Sequence, residues 1–122
     1  MSFEEMLLKR ESCRDFHKKP VSRDDLVKIV EAGRLSPSGC NSQPWKFIVA
    51  DEPEALEGVC DALVVSGGRT ACAWRADVPA FIVIVEQPAV LMPFALKYYK
   101  DSQRFAQGDI GAAVLNMCYQ AE

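Results

Sequence analysis

Ser36-Pro37-Ser38-Gly39-Cys40-Asn41-Ser42-Gln43-Pro44 runs without a break into Trp45-Lys46-Phe47-Ile48-Val49-Ala50. The first nine residues are almost all turn formers, which makes them a loop rich in hydroxyls, amides and accessible backbone. The next six are mostly β-branched or aromatic and read as a strand. Upstream, Ser22 and Asp25 form a capping pattern after Pro20. Leu26, Ile29, Val30 and Gly33 then mark one face of a helix that stops near Gly33. The stretch is therefore a helix, a polar loop and a strand in succession.

Working outward, Ser2 with Glu5 is a capping box, and Phe3, Met6, Leu7 and Arg10 recur at helical spacing, predicting a short amphipathic helix over 3–10. Beyond the strand, Pro53 opens a third helix carried by Leu56, Val59, Cys60, Leu63 and Val64, and Ser66-Gly67-Gly68-Arg69 ends it. Ala80-Phe81-Ile82-Val83-Ile84-Val85 is apolar on both faces, the pattern of a central strand covered by helices. Residues 88–100 are apolar and aromatic, broken by Pro93, and no element is assigned to them. Ile110, Ala113, Val114, Met117, Cys118 and Ala121 trace one face of a last helix whose small residues permit close approach. This order points to α+β or α/β. Two strands alone are marginal, and an apolar strand such as 80–85 calls for a neighbour on each edge.

The chain has 122 residues, 49% of them apolar and 25% charged, which suits one soluble domain and excludes disordered, collagenous and low-complexity classes. Fourteen basic residues against seventeen acidic ones give a net charge of -3, and the basic ones form no block, so nucleic acid is not an expected partner. No apolar stretch approaches the roughly 20 residues of a spanning helix, so neither membrane anchor nor signal peptide is expected. Five cysteines without CxxC spacing and a single histidine, His17, leave no metal site and fit reduced thiols in a cytoplasm.

Arg10, Ser12 and Arg14 place two guanidinium groups and a hydroxyl within five residues. Such forks match phosphate oxygens. The alternative is a solvated face on which the arginines pair with Glu11 or Asp15. The loop 36–44 suits a flat heterocycle with polar edges, or its Asn41 and Ser42 merely satisfy turn backbone. Cys13 and Cys40 read as small packing residues, Trp45 as core, and His17 as an exposed loop residue.

Taken together, Lys9-Arg10-Glu11-Ser12-Cys13-Arg14-Asp15-Phe16 and, about twenty residues later, the loop 36–44 with Trp45-Lys46-Phe47 closely resemble the N-terminal signature of the FMN-dependent nitroreductase family. Asp109-Ile110-Gly111-Ala112-Ala113, followed by Asn116-Met117, is similar to the start of that family's central helix. The resemblance implies an α+β fold, a three-layer α/β/α sandwich around a mixed, mostly antiparallel sheet. It implies that Arg10, Glu11, Ser12 and Arg14 hold the FMN phosphate and ribityl chain, Arg14 reaching toward the pyrimidine edge. Pro37, Ser38, Gly39 and Asn41 match a loop that the second subunit of a homodimer lends to the same flavin.

The implied activity is an oxidoreductase moving hydride from NAD(P)H to nitroaromatics, quinones or similar electron-poor acceptors in ping-pong order. The flavin carries the chemistry, so no protein residue is assigned a catalytic role. Members of the family usually continue some fifty residues further, and Glu122 falls where the central helix should still be running. Residues 1–122 are thus expected to form one incomplete domain, truncated at the C-terminus within that helix. The alternative function is a non-catalytic remnant, a flavin- or nucleotide-binding dimerisation module.

Overall fold

The structure, a computed structural model, describes residues 1–65, 68–70, 72–99 and 101–122. Ser66, Gly67, Ala71 and Lys100, within the expected helix stop and the stretches after it, lie outside the described residues. In chain order the elements are α1 (Phe3–Lys9), α2 (Arg23–Arg34), β1 (Trp45–Ala50), α3 (Pro53–Ala62), β2 (Phe81–Glu86), α4 (Pro93–Leu96) and α5 (Gln103–Ala121), with short 3-10 turns at Gly39–Asn41 and Ala73–Asp77.

Local chemistry explains the helix starts. At α1 the Ser2 hydroxyl accepts from the Glu5 N–H at 3.2 Å while the Glu5 carboxylate accepts from the Ser2 N–H, completing the capping box. At α2 the Ser22 hydroxyl caps the Asp25 N–H at 3.1 Å. Pro53 sits in the first turn of α3, where its missing N–H costs nothing.

β1 and β2 pair antiparallel, from Trp45 opposite Glu86 to Ala50 opposite Phe81. Along β1 the side chains alternate. Trp45, Phe47 and Val49 point toward α2 and α5, while Lys46 and Ile48 are exposed. Opposite Phe47 and Val49, Ile84 and Ile82 continue that face. α2 packs along α5 over it, and α3, which follows β1 in the chain, contacts β1. The α+β reading holds.

α2 ends at Arg34, one residue past Gly33, as expected, and Gly33 has a second role that its position near the helix end did not announce. A Cβ at Gly33 would lie 2.9 Å from Met117 Sδ and 3.1 Å from Phe47 Cζ, so the missing side chain lets α2, β1 and α5 meet. α5 starts earlier than its apolar face suggested, at Gln103, and buries Ala106, Ala113 and Met117. Val114, Cys118 and Ala121 of the expected face are exposed. β2 also departs from expectation. It pairs only with β1 among the described residues, and its first four side chains are half-buried, because a strand with one neighbour is covered on one edge only. The last turn of α5 does meet a cation: Lys9 Nζ lies 2.8 Å from the Glu122 carbonyl oxygen and 3.2 Å from its carboxylate. No helix among the described residues is long and apolar enough to cross a membrane.

Candidate functional site

The loop 36–44 is held by its own chain at both ends. Ser36 is buried, donates its hydroxyl to the Ala32 carbonyl at 3.1 Å, and accepts from Asn116 Nδ2 at 2.8 Å. Three residues on, the Gly39 N–H donates to Asp109 Oδ2 at 3.0 Å. Asp109 and Asn116 stand two turns apart on α5, so one helix face grips the loop twice. Ser38 Oγ accepts from the Gln43 N–H at 2.9 Å, and buried Pro44 accepts from the Gln87 N–H at 3.0 Å, which ties the exit of the loop to the end of β2.

Inside this frame the backbone is unusual. Cys40 and Asn41 have φ of 53° and Gln43 of 46°, the left-handed region, which asparagine tolerates and most side chains avoid. The bend turns Asn41 outward, and Pro37 is exposed beside half-buried Ser38 and Gly39. The Ser42 hydroxyl is buried with no hydrogen-bond partner among the described residues. Cys40 is exposed, contrary to the packing role expected of it, because its left-handed backbone directs it away from the core.

The arginine segment is built differently. Arg10 is the C-cap of α1, its N–H bonded to the Met6 carbonyl, and its side chain is half-buried. Glu11, Ser12, Cys13 and Arg14 are exposed in the connection to α2. Arg14 Nη1 donates to the Ser12 carbonyl at 3.1 Å, and Cys13 Sγ to the Asp15 carbonyl, so Cys13 packs into nothing. Neither arginine forms a salt bridge with Glu11 or Asp15, nor any other among the described residues. Among the described residues neither guanidinium is matched by a carboxylate, in a chain that pairs Arg34 with Glu31 and Lys28 with Asp25 on a neighbouring helix. There the Lys28 hydrogen bond holds the Asp25 carboxyl below the usual range, and that of Arg34 does the same for Glu31.

The structure does not bring the two segments together. Lys9, the neighbour of Arg10, contacts Glu122 and Gly39 is fixed at Asp109, positions roughly 20 Å apart along α5 at 1.5 Å per residue, although Ser36 at the start of the loop is held nearer, at Asn116. A sequence model of the nitroreductase family matches residues 7–122, which contains both segments and α5. The chain belongs to the nitroreductase family. Over 44 residues it is 50% identical to the major NAD(P)H-flavin oxidoreductase of Aliivibrio fischeri, a match covering 36% of this chain and 20% of that protein.

Among solved structures, a nitroreductase family protein from Clostridium difficile 630 superposes with a TM-score of 0.76 at 26% identity, over 99% of this chain and 62% of the other. A Desulfovibrio desulfuricans structure in complex with FMN gives 0.70 at 25% identity, over 97% and 60%. This chain therefore spans about three fifths of the length of these family members. The fold read from the sequence is that of the family.

The loop is plain in the sequence, whereas the two side chains that hold it, Asp109 and Asn116, lie unmarked within the motif of α5. Their signal was present: two polar residues seven apart, on the face that carries Ala106, Ala113 and Met117.

Proposed function

We propose that this chain is an FMN-dependent NAD(P)H oxidoreductase that works as a homodimer, each flavin being held by the arginine segment of one copy and the loop of the other. The observation that carries this reading is the separation of the two segments along α5. Each is equipped for part of a flavin, and among the described residues no hydrogen bond or salt bridge joins one to the other. The residues fit the group. Arg10 and Arg14 offer guanidinium groups that no carboxylate neutralises among the described residues, Arg14 giving only Nη1 to the Ser12 carbonyl, and Ser12 offers a hydroxyl for a phosphate, with Glu11 between them for the ribityl hydroxyls. Pro37, Ser38, Gly39 and Asn41 present polar edges on a backbone already bent, and the orphaned Ser42 hydroxyl beneath them awaits a partner.

Exposed Phe3, Leu8, Val114 and Leu115 on α1 and α5 supply apolar surface for the second copy. FMN bound there supplies the two-electron chemistry. The chain's residues hold its phosphate, orient its ring and shield one side from water. Overall, NAD(P)H and a proton convert a quinone to a hydroquinone, or a nitro group to a nitroso group and water, NAD(P)+ leaving before the acceptor enters. Five free cysteines suit a reducing cytoplasm.

The test is a titration of the purified chain with FMN, followed by NAD(P)H oxidation with menadione or 4-nitrobenzoate. The expected outcome is stoichiometric FMN uptake and acceptor-dependent oxidation. A chain that takes up no FMN overturns the reading, and one that binds FMN without oxidising NAD(P)H is a binding module.

A further inference from the structure

The ladder on one side of β2 fixes what its other side presents. The Gln87 N–H donates to the Pro44 carbonyl at 3.0 Å, one step beyond the Trp45–Glu86 pair. Bonded and non-bonded pairs alternate along antiparallel strands, so Phe81, Val83 and Val85 turn their N–H and C=O groups to β1, and Ile82, Ile84 and Glu86 turn theirs away. Among the described residues no third strand or loop backbone bonds the outward groups of Ile82 and Ile84. Natural edges are guarded by lysine, proline or a bulge. Phe81–Val85 has none of these, being five apolar residues in unbroken register with β1.

The side chains leave the same edge open. Ile82 and Ile84 line an apolar groove of about 490 Å³ with Phe16, Ile29, Met117 and Cys118, and on the opposite face Val85 is 37% exposed. What such an edge accepts is an extended backbone with apolar side chains at alternate positions. β2 itself meets that description. When two copies lie antiparallel about a two-fold axis at Val83, Ile82 of one bonds Ile84 of the other and Ile84 bonds Ile82. On the groove face isoleucine then lies beside isoleucine, and on the other face Phe81 lies beside Val85 and Val83 beside Val83. The two Glu86 carboxylates fall at opposite ends of the ribbon. Moving the axis to Ile84 instead sets Ile82 against Glu86, so the side chains choose the register.

We propose that the free edge of β2 is an interface between copies of this chain, two β2 strands pairing about Val83 and joining two two-stranded sheets into one of four strands. A two-stranded sheet is marginal, and four strands with a covered apolar face are not. The axis stands perpendicular to the sheet, so the grooves of the two copies lie on one side and run together. The contact uses no residue of the loop 36–44 or of the arginine segment, and so it adds to the flavin-sharing dimer. Each chain then carries two different two-fold contacts, which build a tetramer or a longer even-numbered assembly.

The test is the mass of the assembly in solution, by light scattering after size-exclusion chromatography, for the wild-type chain and Ile84→Pro. Proline at 84 removes an outward N–H and spares the bonds to β1, so the mass should fall at least by half. FMN uptake is measured on the same samples and should not change. Should neither protein take up FMN, the flavin reading fails and the mass comparison still decides the interface. Val83→Cys, a change of little volume, tests the register. Facing Cα atoms of a non-bonded pair lie about 4.5 Å apart, within disulfide reach, so oxidised glutathione should link position 83 to position 83 of the second copy in peptide mass spectrometry. Val85→Cys, about 13 Å from its counterpart at about 3.3 Å per residue, should not link. Equal masses for wild type and Ile84→Pro, with the edge bare or filled by a co-purified peptide, overturn the interface, as does a link at 85 in place of 83. If Ile84→Pro fails to fold, the presence or absence of the link at 83 decides alone.

Discussion

The loop 36–44 and the segment 10–14 are both rich in polar side chains, yet the fold treats them in opposite ways. The loop is gripped at Ser36 and Gly39 by Asn116 and Asp109 of α5, and its strained backbone persists because those bonds over-determine it. The arginine segment hangs between α1 and α2 with its guanidinium groups unpaired. One region is preorganised by its own chain, and under the proposed function the other acquires its order from the ligand it binds. Substitutions in the first should therefore cost stability and ligand affinity together, and substitutions in the second affinity alone.

The largest separation of the two effects is expected from Arg10→Ala combined with Arg14→Ala. Each removes a charge-assisted phosphate contact of about 1.5–3 kcal/mol, so FMN affinity should fall by two orders of magnitude or more while the denaturation midpoint stays put. A matching loss of stability would merge the two regions into one class. Asp109→Ala should do the reverse in kind: it frees the Gly39 N–H and lowers unfolding free energy by about 1–3 kcal/mol in chemical denaturation, with FMN affinity falling as well.

Gly33→Val tests the frame behind the loop. Crowding Met117 and Phe47 should cost roughly 1–3 kcal/mol, and FMN affinity should drop only as far as α5 shifts. Smallest is Lys28→Ala, remote from both regions. An NMR titration should show the Asp25 carboxyl returning upward toward its ordinary value. Because the folded carboxyl is depressed by Lys28, its contribution is present above the usual carboxylate range and is lost as pH falls through it. The variant should therefore flatten the acid limb of stability slightly and leave FMN binding alone.

Much of this was legible in the sequence for physical reasons. Ser2, Ser22 and Pro53 announce their helices because capping is local, and Trp45–Ala50 announces a strand because its residues are mostly β-branched or aromatic. The roles of Gly33, Asp109 and Asn116 are tertiary, and a residue that meets another seventy or more positions away leaves only a periodic trace. The placement of residues 88–99 left little trace because they follow no single periodicity: Pro93 opens a helix of only four residues, and Gln103, from the next element, holds Ala89 at their start. β2 shows the converse. Its apolar pattern predicted cover on both sides, and one edge is without a neighbouring strand among the described residues.

The central claim is that the two regions meet only across two copies of the chain. It is tested most directly by mixing a chain carrying Arg10→Ala and Arg14→Ala with one carrying Ser38→Ala and Asn41→Ala, after co-refolding equal amounts. Neither alone should bind FMN well. In a two-fold dimer the mixture should recover about one quarter of the wild-type FMN stoichiometry, since half the dimers are mixed and each has one intact site. A mixture that binds no more FMN than its separate components would contradict the account.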